Sequence, residues 1–259
     1  MPSRRLAVLL GVVVLVGLAG CVALSPSSDD PDPEALFEST FVYSDDLEDV
    51  TGEQTIEITG GSETISETLR IYERPYVYDR EEVLETTDPE REGHVFVSDP
   101  SGAWWYYPER SLVERHEASE PFDDDAVRSD RAEMAEWKRD WYDLEYQGTE
   151  EVAGREAHVL GVDLRSEAVK QGVSVLLGDT EYVYALETVE APDEIDVVEQ
   201  TIWIDAEYDY PLQERQVFEF GDGERYEMVE RFETVSFNGD LDDELFEFEP
   251  PENVTVESR

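Results

Sequence analysis

Apolar and polar side chains alternate through most of the chain beyond residue 50, and the places where that period of two fails mark turns and helices. Gln54 to Thr59 alternates, and Gly60-Gly61 is a hairpin signal. Thr64 to Tyr78 then reads as a long return strand, bent or exposed at Pro75. His94 to Ser98 and Ala103 to Tyr107 read as strands joined by the turn Asp99-Pro100-Ser101-Gly102, with a further strand at Ser111 to His116. Gly148 to Val152 and Glu156 to Leu164 flank a turn at Ala153-Gly154. Strands at Glu181 to Val189 and Val197 to Asp205 flank Pro192-Asp193. Gln213 to Phe220 and Arg225 to Phe237 form a hairpin closed by Gly221-Asp222-Gly223. Leu241 to Leu245 is an acidic turn or helix, Phe246-Glu247-Phe248 a last short strand, and Pro250-Pro251 the end of regular structure.

Two stretches change period. Pro33 suits the first turn of a helix with Asp32 as N-cap, and Leu36, Thr40, Val42 or Tyr43, and Leu47 give a loose face from 34 to 48. Phe122 to Leu144 is the clearest helix: Met134, Trp137, Trp141 and Leu144 recur at helical spacing among charged residues. Glu167 to Leu177 fits a helix through Val169, Val173, Leu176 and Leu177, without excluding other structure. One wet and one buried sheet face, short turns and few helices predict an α+β fold. The expected form is a curved antiparallel sheet, an unclosed β-barrel, with helices covering the concave face over an apolar hollow.

The N-terminus breaks the pattern differently. Arg4 and Arg5 precede an uncharged apolar run, and small residues lead to Cys21, the sole cysteine. Leu18-Ala19-Gly20-Cys21 resembles a lipobox, which implies cleavage before Cys21 and lipidation of its sulfur. The organisation expected is a signal peptide at 1–20, a lipidated Cys21 with a Pro/Ser/Asp-rich tether to 33, a folded domain at 34–251 and a tail at 252–259. An uncleaved membrane-spanning anchor is the alternative, and export by the general or the twin-arginine route stays open. Both place the domain on the extracytoplasmic face of the cell membrane, with Arg4 and Arg5 inside.

Charge narrows the partners. The 259 residues carry 66 acidic and 19 basic side chains, a net −47, yet are 40% hydrophobic and 11% aromatic. Such a chain forms a core, so the acidity is not that of a disordered tail. It resembles the acidity of proteins from extremely halophilic archaea. Nucleic acid is excluded as a partner because phosphates need a basic patch. His94, His116 and His158 lack metal spacing, Asp123-Asp124-Asp125 lacks the pattern of a calcium loop, and no nucleophile elbow or phosphate loop is present. No cofactor, metal or enzymatic activity is expected. Asn253-Val254-Thr255 fits a glycosylation acceptor at Asn253.

Ala153-Gly154-Arg155-Glu156-Ala157-His158-Val159-Leu160, then Ile202-Trp203-Ile204-Asp205 with Tyr210-Pro211-Leu212, then Asp242 to Phe246 with Pro250-Pro251-Glu252, together resemble the motifs of LolA-like proteins. This is the superfamily of outer membrane lipoprotein carriers and lipoprotein-sorting proteins. The resemblance covers the second half of the chain best, and residues 165–198 read as an insertion. It implies an unclosed barrel with a helical lid, binding an apolar ligand, a lipid or a lipoprotein acyl chain. An envelope sensor or protein-interaction module is the alternative it also implies. Trp104, Trp105, Tyr106, Met134, Trp137, Trp141 and Trp203 are then the candidates for the cavity wall, with ordinary core packing as the competing role.

Overall fold

The computed structural model describes residues 30–61, 63–165, 195–220 and 223–258. The described residues from Pro31 onward belong to one compact unit. The described elements are α1 (Pro33–Ser39), β1 (Val50–Gly60), β2 (Glu63–Arg74), β3 (Tyr78–Thr86), β4 (Val95–Asp99), β5 (Gly102–Tyr107), β6 (Leu112–Glu117), α2 (Asp124–Arg139), β7 (Tyr142–Val152), β8 (Arg155–Leu164), β9 (Ile195–Asp205), β10 (Pro211–Phe220), β11 (Arg225–Phe237) and β12 (Thr255–Ser258).

All twelve strands belong to one curved, open sheet, in the order β12-β6-β5-β4-β3-β2-β1-β11-β10-β9-β8-β7. Neighbours are antiparallel except β12, which runs parallel to β6. The strands form two meanders, β1 to β6 and β7 to β11, and β11 returns to pair with β1 along its whole length. β6 and β7 therefore lie toward opposite ends of the sheet. The chain between them must cross a sheet face, and α2 is that crossing. The α+β architecture expected from the alternation is the one observed.

Helix α1 starts where the sequence places it: Asp32 accepts from the Glu34 amide at 3.1 Å, and a proline occupies the first turn. It ends after seven residues rather than reaching 48. The Ser44 amide bonds the Tyr208 carbonyl at 3.1 Å, and Tyr43 packs against Tyr76 and Tyr210 at 5.5 and 4.9 Å. Tertiary contacts thus take residues 40–49 out of the helix.

The expected strand from Thr64 to Tyr78 is two strands. β2 stops at Arg74, a turn follows at Pro75, and β3 pairs back from Arg74↔Tyr78 to Glu67↔Thr86. In β3 only Val83 is buried, so its acidic sequence hides the period of two. Helix α2 ends at Arg139, and Leu144 belongs to β7. The fully buried residue of α2 is Ala135, against Leu36, Phe37 and Phe41, while Met134 and Trp137 are exposed. A small side chain at that position lets α1 lie close to α2. Phe246 ends a 3-10 turn (Asp243–Phe246) rather than opening a strand, and β12 extends regular structure beyond Pro250-Pro251. The expected strand at 181–189 and the ambiguous segment at 167–177 lie outside the described residues.

Candidate functional site

Because α2 crosses the sheet, it roofs a hollow of about 630 Å³ whose floor comes from β1–β4, β10 and β11. That volume falls within the usual range for small-molecule sites. Val127, Arg131, Met134 and Lys138 line it from α2, at intervals of four, three and four residues, with Trp137 beside them. Phe41, Ile71, Tyr76, Phe96 and Phe232 supply an apolar and aromatic wall.

Arg131 fixes the roof to the chain after α1. Its Nε donates to the Phe41 carbonyl at 2.7 Å and its guanidinium to the Tyr43 hydroxyl at 2.9 Å. The same group lies 5.1 Å from the ring centres of both Tyr43 and Tyr76, within cation–π range. Burial raises the Tyr76 phenol, with Arg128 and Arg131 opposing. The Tyr210 hydroxyl donates to Glu73 at 2.6 Å, and burial beside that carboxylate holds its pKa well above the ordinary tyrosine value. Gln54 donates to Glu230 at 2.7 Å.

The unusual group is Glu214. In β10, Leu212, Glu214, Gln216 and Phe218 are all buried, so two polar residues stand inside an apolar stripe. Across the β9–β10 pairing Gln216 faces Gln200, and Glu214 faces Ile202. Glu214 is 6% exposed and lines the hollow. One carboxylate oxygen accepts from Gln200 Nε2 at 2.7 Å and from Gln216 Nε2. Burial pushes its pKa up to about 7, against the two amide donors and the Lys138 charge. Lys138 is lowered in turn by burial, with Glu214 opposing. The amide oxygens of Gln200 and Gln216 are buried and have no hydrogen-bond partner among the described residues.

Of the cavity-wall candidates, Met134 and Trp137 line the hollow, whereas Trp104, Trp105, Tyr106, Trp141 and Trp203 do not. Trp104 lies under Arg115 at 4.5 Å and beside Phe248, which Tyr106 also meets. Trp105 packs on Phe96 at 5.2 Å. Trp141 is edge-on to Trp137 at 4.2 Å, beside the α1–α2 core. Trp203 is core, and its Nε1 donates to Glu150 at 2.8 Å. Asn253 is in the turn before β12, and Cys21 lies outside the described residues.

Asp123 of the acidic run is the N-cap of α2, accepting from the Ala126 amide at 3.0 Å. Among the described residues no cluster of His, Cys, Asp or Glu is placed to hold a metal, and no helix is long and apolar enough to cross a membrane. Sequence reasoning missed Arg131, Lys138, Glu214, Gln200 and Gln216. The four-three-four spacing of Val127, Arg131, Met134 and Lys138 is the signal that finds the first two.

No family model matches the chain, and no curated protein matches it. Solved structures resemble it at low identity. A LolA superfamily protein from Nitrosomonas europaea is 11% identical over 85% of this chain and 99% of its own, with a TM-score of 0.35. The lipoprotein LppX of Mycobacterium tuberculosis is 12% identical over 82% and 98%, with a TM-score of 0.41. The Pseudomonas aeruginosa MucA/MucB complex contains a chain 15% identical over 83% of this chain and 58% of its own, with a TM-score of 0.42.

Proposed function

We propose that this protein is a lipid-anchored extracytoplasmic binder or carrier of a long-chain apolar ligand, held in the hollow beneath α2. The observation that carries the reading is the hollow itself: about 630 Å³ under the crossing helix α2, with Phe41, Ile71, Tyr76, Phe96 and Phe232 giving it an apolar wall beside its charged groups. Trp137 lines it and is still 60% exposed, as Met134 is at 43%, which puts both at its mouth. Apolar surface left wet at the rim of a cavity favours entry of an apolar chain. The Leu18-Ala19-Gly20-Cys21 signal supports the anchor.

Titration with a twelve-carbon alkyl probe in molar salt tests the reading. A saturable change in tryptophan fluorescence is expected, and Trp137→Phe should remove most of it. A folded protein that takes up no probe and yields no lipid to organic extraction after purification overturns it. The same exposed Met134 and Trp137 favour a second reading, an envelope sensor that docks a partner protein on α2. A stoichiometric partner recovered with the wild type and lost on Trp137→Ser, with no lipid bound, would establish that reading instead.

A further inference from the structure

The hollow has a mixed lining: aromatic and aliphatic side chains share it with charged ones, of which Glu214 in β10 is the most deeply buried. From β10 Glu214 lines it, and Gln216 and Gln200, which do not line it, flank Glu214 on the same sheet face. Both glutamines give an amide hydrogen to one carboxylate oxygen of Glu214, and both keep a buried amide oxygen with no donor among the described residues. Buried acceptors without donors are costly and uncommon, so each calls for an explanation. Leucine at these positions would pack the core better if packing were their only role.

The charged groups around this cluster set the sign of what fits. Lys138 and Arg131 face the hollow from α2; Glu73 from β2, Asp79 and Glu81 from β3, and Glu230 from β11 face it from the sheet. With Glu214 that is five carboxylates against two cations, and Arg131 is already bonded to Phe41 and Tyr43. An anionic head group meets net repulsion in a site of low dielectric. A head group that donates hydrogen bonds meets an excess of carboxylate acceptors, Glu214 among them.

We propose that Glu214, held in place by Gln200 and Gln216 behind it, is the polar end of the ligand site, selecting a long-chain amphiphile whose head donates hydrogen bonds and carries no negative charge. Alcohols and amines share that chemistry; carboxylates and phosphates do not. The proposal rests on the hollow being a ligand site, and the test separates the two.

Dodecan-1-ol, dodecylamine and dodecanoate share one chain length and differ only in the head. At a pH where dodecanoate is ionised, the wild type should bind the alcohol and the amine at least about tenfold tighter than dodecanoate, read by tryptophan fluorescence in molar salt. Glu214→Leu should bring the three affinities together, with dodecanoate binding unchanged or tighter. Glu214→Gln keeps the size and the hydrogen bonding, so it should retain the alcohol and lose the extra affinity for the amine. Circular dichroism checks each fold; if Glu214→Leu does not fold, Gln216→Leu and Glu214→Gln carry the comparison. Equal binding of all three probes by the wild type overturns the head-group assignment and leaves the hollow as a site for plain alkyl chains. Failure of every probe to bind overturns the hollow as a ligand site.

Discussion

At the scale of single residues, two buried carboxylates differ in how they are satisfied, and this decides how each responds to change. Asp205 is fully buried, but Arg155 pairs with it bidentately and the Glu207 and Tyr208 amides donate to it at 3.1 and 2.9 Å. Its partner Arg155 is held charged by those bonds. Asp205→Ala should cost about 3–5 kcal/mol in urea unfolding, because it strips the turn and unpairs the arginine. Asp205→Asn keeps an oxygen for the turn amides and should cost less. Glu214 is the opposite case. Burial raises its pKa from 4.5 to about 7, so the folded state holds a proton that the unfolded chain has released. The sign follows: this contribution is full below about pH 4.5, shrinks as pH rises, and is gone above about pH 7. Glu214→Gln should therefore be more stable than wild type near pH 8, by up to about 3 kcal/mol, with the gap closing near pH 5. A gap that does not vary with pH would mean Glu214 is ionised throughout. Asp205 was legible in the sequence as part of Trp203-Ile204-Asp205, whereas Glu214 was not, because a carboxylate within an alternating strand reads as a wet-face residue until its neighbours on the sheet are known.

At the scale of elements, the antiparallel meanders were legible because alternation and Gly, Pro and Asp turn residues act over a few residues. What escaped lacked such a local signal. β3 escaped because only Val83 in it is buried, and β12 because its partner, β6, lies far back along the chain at Leu112–Glu117. In α2 the apolar stripe of Met134, Trp137 and Trp141 fitted either a cavity wall or a core face; Met134 and Trp137 line the hollow with Val127, Arg131 and Lys138, while the helix packs on α1 through Ala135. Apolar residues beside a cavity and apolar residues in a core leave the same pattern. The acidic run before α2 has a local use, since Asp123 caps the helix and Asp124 and Asp125 sit in its first turn. Asp123→Ala should cost about 1 kcal/mol and fray the roof of the hollow at its N-terminal end. Hydrogen exchange should quicken in the first turns of α2 and stay unchanged in β8 and β9. Equal quickening throughout would show that α2 opens only with the whole domain.

At the scale of the molecule, the net charge governs. The chain carries −47, and would carry −49 on the proposed cleavage before Cys21. Its ion pairs are mostly exposed arginine–carboxylate contacts, such as Arg70 with Glu53 and Arg231 with Glu233, and exposed pairs contribute little each. Nor can 19 basic side chains neutralise 66 acidic ones. In dilute buffer such a surface repels itself and favours expansion. At molar salt the screening length falls to about 3 Å, shorter than most separations between surface charges. The fold should accordingly lose its cooperative thermal transition on dialysis to dilute buffer and regain it as potassium chloride is restored. Salt also strengthens apolar burial through exclusion from the protein surface, so screening must be separated from exclusion. Sucrose supplies exclusion without screening. If charge repulsion outweighs exclusion, sucrose at matched osmolality should recover little of the transition that potassium chloride recovers, and replacing exposed glutamates of β7, such as Glu145 and Glu151, by glutamine should lower the salt midpoint. A thermal transition unmoved by salt, or one that sucrose restores fully, would assign the stability to packing alone and leave the acidity without a folding role.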